Sequence, residues 1–256
     1  MTDKEILKLA MAQSALELGA EAEDFEKSEN VTVISKKAEG ARKYLQLPFS
    51  CQIVSYGNNA VASASKEFYS LTRSYLDKYP AAHIFETPNL HVLNEALLPL
   101  GQKICFMAEY FLPDLRVLKA LDCDYEMRFL SPKDFSCLYL PRWSNALCEK
   151  RKELDVLGIG AYFKGELVGL AACSADCDTM WQIGIDVLPQ HRRRGIASAL
   201  TSRLAIEILN RGKVPFYCAA WCNLKSVGNA IKSGFRPAWV EMTAKDQKTV
   251  DGMNFK

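Results

Sequence analysis

Apolar residues recur along this chain with two different periods, and the two meet at residues 181–210. Ile183, Ile185 and Val187 take every second position after Trp181, which predicts a strand with one buried face. Pro189 stops that strand, because proline has no N–H to give to a ladder. Ile196, Leu200, Leu204 and Ile208 then recur every fourth residue, so residues 195–210 are expected to form an amphipathic helix with this stripe buried. Arg211-Gly212 closes it.

The rest of the chain yields to the same reading. Thr2 and Glu5 fit a capping box, and Ile6, Leu9 and Leu16 with Gly19 beyond them predict a first helix of about four turns. Residues 31–35 read as a short strand, and residues 51–55 and 60–64 as a hairpin around Gly57-Asn58-Asn59. A helix over 66–78 ends before Pro80, followed by a strand over 83–86, a helix over 89–98 and a strand over 104–109. Residues 111–124, with Pro113 and several acids, mark a boundary between an N-terminal domain over 1–115 and a second over 125–256. Beyond it come a strand over 126–130, a helix starting at Ser131-Pro132, and a hairpin of 157–163 and 166–174 about Lys164-Gly165.

Composition narrows the class. A chain of 256 residues is long for one domain and comfortable for two, and 49% hydrophobic with 24% charged residues is ordinary for a soluble protein. No apolar run approaches a membrane span, and the acidic start Thr2-Asp3-Lys4-Glu5 lacks a signal peptide's apolar segment, so a cytoplasmic location is expected. Nine cysteines without a C-x-x-C pair read as reduced packed thiols. Cys173 with Cys177 and Cys218 with Cys222 are spaced within the broad zinc range, but no histidine pair reinforces them, so no metal is expected. A net charge of +2 gives no general attraction to nucleic acid, and the run from His191 to Arg194 is the dense basic stretch.

That run precedes the helix expected from Gly195. Gly195 and Ala197 put no bulky side chain before the first-turn amides, so free N–H groups and the positive end of the helix dipole face an anion. Arg192, Arg193 and Arg194 add forked donors suited to phosphate oxygens, where the bland alternative is a solvated charged turn. The pattern R-x-x-G-x-A at Arg192, Gly195 and Ala197 resembles the acyl-CoA loop of the GNAT N-acetyltransferase superfamily. The strand-like 214–221, then Asn223-Leu224-Lys225-Ser226 and Gly234-Phe235, follow in that family's order.

The resemblance covers roughly the second half of the chain. It implies an α/β (α+β) fold, a mixed and mostly antiparallel sheet flanked by helices in 125–256. The element order of the first half repeats that of the second in outline, so the N-terminal domain reads either as a degenerate copy of the same fold or as an unrelated α+β lid or dimerisation domain. The resemblance further implies acetyl-CoA as acyl donor and an amine as acceptor. Pantetheine would run beside Ile185, Asp186 and Val187, and pyrophosphate would sit on the amides of Arg192, Arg193, Arg194, Gly195, Ile196, Ala197 and Ser198. Asn223 matches the family's cofactor-contacting asparagine, with Ser226 three residues later, although Asn223 also serves as an ordinary helix cap.

The sequence departs from the family where catalysis is concerned. Ala230 stands where many members have a proton-donating tyrosine, and Trp181, Gln182 and Cys218 stand where many have a base glutamate. Asp186 is the first candidate base, since strand alternation turns it from the Ile185/Val187 face; Asp178 and Glu241 follow. Tyr217, Trp221 and Trp239 are candidates for an aromatic wall about the acceptor or for core. The expected function is acyl-CoA-dependent N-acetyl transfer to a primary amine, with a non-catalytic acyl-CoA sensor and an RNA-binding module as rivals. The amine and the oligomeric state, a homodimer included, stay open.

Overall fold

The computed structural model describes residues 1–254. The elements run α1 (Asp3–Leu18), β1 (Val31–Ile34), β2 (Cys51–Ser55), β3 (Val61–Ala64), α2 (Tyr69–Lys78), α3 (Ala81–Ile84), α4 (Thr87–Leu97) and β4 (Gln102–Pro113). They continue with β5 (Glu126–Leu130), β6 (Asp155–Phe163), β7 (Glu166–Ser174), β8 (Met180–Val187), α5 (Ile196–Asn210), β9 (Val214–Ala219), α6 (Leu224–Lys232), β10 (Phe235–Asp246) and α7 (Gln247–Met253). The fold is mixed α/β with mostly antiparallel strand pairs flanked by helices, as the sequence implies. No helix among the described residues is long and apolar enough to cross a membrane.

The chain forms two compact units, and each end joins the unit built by the other half: Met1–Leu7 belongs with Phe111–Pro237, and residues 238–254 with Lys8–Tyr110. The expected boundary at 115–125 describes one cut; these contacts need three.

In the unit centred on residues 111–237, the strands lie in the order β9-β8-β7-β6-β5. The stripe Ile196, Leu200, Leu204 and Ile208 of α5 is buried against Leu157, Ile159, Ala161, Ala171, Cys173 and Ile183 of the sheet. The segment after Phe111 is tied down on the polar edge of α5. Leu121 donates its N–H to Ser202 Oγ at 3.1 Å, and Arg203 Nε donates to the Leu121 carbonyl at 2.9 Å.

Two expectations fail locally. Residues 81–84 are a helical turn, not part of a strand: Pro80 leads it, His83 donates its N–H to the Pro80 carbonyl at 2.9 Å, and Asn89 Nδ2 caps the His83 carbonyl at 2.8 Å. A short apolar run carries no period to separate helix from strand. Ser131 and Pro132 begin only a 3-10 turn, Pro132–Asp134, capped by Ser131. Residues 131–154 then proceed through further 3-10 turns at Pro141–Trp143 and Glu149–Leu154, because Pro141 interrupts any helix and the apolar residues lack a helical period.

The other unit has the strand order β1-β3-β2-β10, with α2 and α4 packing Tyr75, Leu76, Leu93 and Leu97 onto the strands. A buried charge network closes it. Arg42 Nη2 lies 2.6 Å from Glu17 Oε2 and 3.0 Å from Glu241 Oε2, while Gln52 Nε2 donates to Glu241 Oε1 at 2.9 Å. Burial opposes the Arg42 charge, and the two carboxylates more than restore it, so its pKa stands well above the usual value. We expect Arg42→Ala, which strands two buried carboxylates, to cost about 3–5 kcal/mol in urea unfolding of the full chain.

Candidate functional site

β8 is paired unequally on its two sides. On one side Gln182–Val187 run antiparallel to Ser174–Gly169 of β7. On the other, only Met180, Trp181 and Gln182 pair, in parallel, with Val214, Pro215 and Phe216 of β9. β8 continues for five more residues to Val187 and β9 to Ala219 outside that register, and residues 184–187 remain half-exposed. Odd-numbered residues of β8 and β9, Ile183, Ile185, Val187, Tyr217 and Ala219, pack on the α5 side. By strand alternation Gln182, Gly184, Asp186 and Cys218 face the opposite side, where Gln182 Nε2 donates to Cys218 Sγ at 3.1 Å.

The turn after β8 carries the amides anticipated for an anion. Arg193 has φ 62° and Gly195 φ 80°, both left-handed. A non-glycine residue held there stores about 1–3 kcal/mol of strain, which tends to mark functional turns, and alternating left-handed residues can gather successive N–H groups into an anion-binding concavity. The N–H groups of Arg193, Arg194, Gly195, Ile196, Ala197 and Ser198 bond to no acceptor among the described residues; the first backbone bond into the Gly195 carbonyl comes from Ala199, at 3.0 Å.

The three arginines are not equivalent. Arg192 Nε donates to the Val187 carbonyl at 2.9 Å and so closes the turn. Arg194 Nη1 donates to the Tyr125 hydroxyl at 3.2 Å, and that hydroxyl also shares a hydrogen bond of 3.1 Å with His191 Nδ1. Arg193 is exposed.

A strap formed by residues 131–154 lies over the face opposite α5. At Gly184 the approach is so close that an added Cβ would stand 1.9 Å from the Asn145 carbonyl oxygen, so no other residue fits without moving the strap. Three aspartates pin it. Asp186 accepts from the Asn145 and Ala146 N–H groups at 2.9 and 3.0 Å and from Asn145 Nδ2 at 2.6 Å. Asp155 accepts from the Tyr139 hydroxyl at 3.2 Å and the Cys148 N–H at 3.1 Å. Asp176, fully buried, pairs with Arg151 and accepts from Ser174 Oγ at 2.6 Å.

The remaining candidates separate. Asn223 Oδ1 caps α6 by accepting from the Ser226 N–H at 3.2 Å, and Ser226 Oγ lies 2.8 Å from the Tyr217 hydroxyl. Burial raises the Tyr217 pKa against hydrogen bonds to Ser226 and Asn229 that lower it. Tyr217 is core, Trp221 is exposed, and Trp239 stacks on Tyr110 at 4.6 Å in the other unit. Glu241 is spent on Arg42 and Gln52 in that same unit, which removes it as a base for this site. Asp178 is exposed before the first residue of β8, about 26 Å along an extended chain from Asp186. Among the described residues no three metal-ligating side chains converge.

Sequence reading missed Tyr125, Asn145 and the pinning aspartates Asp155 and Asp176. Gly184 was the available signal, since a glycine inside a strand marks close backbone approach.

Residues 58–238 match the family described as GNAT acetyltransferase, more than half the chain and well into its first half. Among solved structures, a GCN5-related N-acetyltransferase-like protein from Streptococcus suis is 19% identical over 61% of this chain and 69% of its own, with TM-score 0.45. A GCN5-related N-acetyltransferase from Kribbella flavida is 15% identical over 62% and 64%, with TM-score 0.46. The chain thus spans about two thirds of the length of these two structures. A Salmonella typhimurium protein described as an acetyltransferase with its cofactor acetyl-CoA is 16% identical over 48% and 94%, with TM-score 0.37. No curated protein matches the chain.

Asp155 provides a test of the strap. Burial pushes its carboxyl up to about 6 from 3.8, against the Cys148 N–H, the Tyr139 hydroxyl and Arg151. A raised folded-state value means the folded protein holds the proton more tightly, so this group's stabilising contribution is complete below about pH 4 and is lost as pH rises through about 6. Asp155→Asn retains an acceptor oxygen and cannot titrate. Urea midpoints from pH 4 to 7 should therefore fall less steeply in the variant than in wild type; equal slopes would contradict the assignment.

Proposed function

Because the chain belongs to the GNAT acetyltransferase family, matched over residues 58–238, we propose that it is an acyl-CoA-dependent N-acyltransferase, moving acetyl from acetyl-CoA directly to a primary amine. The observation that carries this reading is the run of N–H groups from Arg193 to Ser198 without internal acceptors, at the end of a strand whose last five residues are paired by β7 alone. Pyrophosphate takes those amides, as a helix start favours. Pantetheine runs along Ile185, Asp186 and Val187 on the open side of β8, and in this reading Asn223 and Ser226 contact the cofactor.

The amine nitrogen attacks the thioester carbonyl carbon, and the carbon–sulfur bond breaks as the amide forms. The departing thiolate takes a proton from the nitrogen or from water, since the conjugate base of a thiol with a pKa of about 8.5 is a modest base. Asp186 is assigned to holding the strap and to no proton transfer, because each of its oxygens already accepts from an N–H group. Those engaged oxygens and Ala230 also favour a second reading, an acyl-CoA sensor without turnover. Thiol release from acetyl-CoA in the presence of an amine library separates the two. The RNA-binding alternative loses ground with Arg192 turned back on the Val187 carbonyl.

Gly195→Asp should weaken CoA binding by more than about tenfold, because a carboxylate would face the phosphate at the positive helix end. Gly195→Asn tolerates the left-handed backbone without the charge and should bind considerably better. Equal, wild-type-like affinities in both folded variants would overturn the assignment. Tyr217→Phe and Cys222→Ala should each keep more than about a tenth of turnover, a barrier change below ~1.4 kcal/mol. A loss of about a thousandfold with normal acetyl-CoA binding would instead reveal a dedicated acid.

A further inference from the structure

We propose that Tyr125 is a positioning residue for phosphate recognition, holding the Arg194 guanidinium in place at the anion-binding turn before any ligand arrives. The inference rests on the acyl-CoA reading given above and adds a residue from outside the loop.

Tyr125 directly precedes β5, at the far edge of the sheet from β9. Its side chain is almost fully buried. The ring is wedged against Phe163 of β6, with centroids 5.8 Å apart, and against His191, 5.7 Å apart and nearly perpendicular. Phe163 and His191 also meet, at 5.4 Å, so three rings fix where the phenol oxygen stands. An arginine has donors only, so the 3.2 Å bond from Arg194 Nη1 makes the phenol oxygen the acceptor. The same oxygen shares a hydrogen bond of 3.1 Å with His191 Nδ1.

The neighbouring arginines show what this arrangement adds. Arg192 is turned back on Val187, and Arg193 is exposed. Arg194 is the one basic side chain of the turn that a rigid, buried group orients while it remains exposed. A long side chain loses much rotamer freedom when a ligand orders it. Where the fold has ordered it already, that loss is not charged to binding. Tyr125 therefore acts on ground-state affinity for a phosphate-bearing ligand, and has no part in the acyl-transfer step.

The test compares Tyr125→Phe, which keeps the ring and removes the acceptor, with Arg194→Gln and the double variant. Acetyl-CoA and phosphate-free acetyl-pantetheine serve as donors, with CoA affinity measured by calorimetry. Tyr125→Phe should raise the CoA Kd and the acetyl-CoA KM five- to tenfold, leave kcat within twofold, and leave the acetyl-pantetheine KM unchanged. In the Arg194→Gln background, Tyr125→Phe should have no further effect, as expected of two groups acting as one. Equal losses with both donors, multiplicative losses in the double variant, or an unaltered CoA Kd would each overturn the proposal. Arg194→Gln changes an exposed side chain, so its selectivity for the phosphate-bearing donor stays measurable even if Tyr125→Phe folds poorly; its absence would also overturn the proposal. Wild-type protein that binds no CoA would remove the acyl-CoA reading and this one together, whereas normal wild-type binding with unaffected variants removes this one alone.

Discussion

Backbone N–H and C=O groups that lose their ladder or helix partners must find others, and this protein concentrates that demand in one stretch of chain. From Ile183 to Val187 one side of β8 lies outside the register with β9, and from Arg193 to Ser198 the amides have no acceptor of their own. Strand, turn and helix are each ordinary. Joined in this order, they form a line from an open strand side to a positive helix end whose first amides lack acceptors. The buried stripe of α5 and the glycine at the turn serve to hold that line in place.

The face opposite α5 meets a different problem. It is covered by residues 131–154, which lack a regular helix and satisfy only part of their amides internally, through 3-10 turns. Aspartates of the sheet and its adjoining loop supply the missing acceptors. Asp186 illustrates how a carboxylate in a site can be structural: it points to the face opposite α5, as alternation dictates, and meets backbone donors of the strap there. The close contact at Gly184 and the bonds at Asp186 lie two residues apart, so one strand fixes both how near the strap comes and where along β8 it stops.

What could be read in the sequence was local. The change of period between the alternating Ile183, Ile185 and Val187 and the stripe that starts at Ile196, punctuated by Pro189 and Gly195, marked β8, the turn and α5 almost to the residue, because each signal lies within a few positions of the next. The strand over 126–130 and the hairpin around Gly57 were legible for the same reason. The strap was not, since 3-10 turns leave no period and Pro141 only says where a helix cannot be. Long-range partners were also hidden: Arg194 and Tyr125 are 69 residues apart, and Asp186 and Asn145 are 41 apart. The three arginines, alike in the sequence, differ because Arg192 and Arg194 find different partners in space while Arg193 is exposed.

The exchange of chain ends bears on how the protein is made. β2 pairs with β3 on one side and with Val240–Thr243 of β10 on the other, so a ribosome has finished the hairpin long before the second neighbour exists. Until then Gln52 and Arg42 await Glu241, and the β2 edge that β10 will cover is open to any strand that passes. The half of the protein that is synthesised first therefore waits longest for its last strand, and its β2 edge is open until β10 has been made.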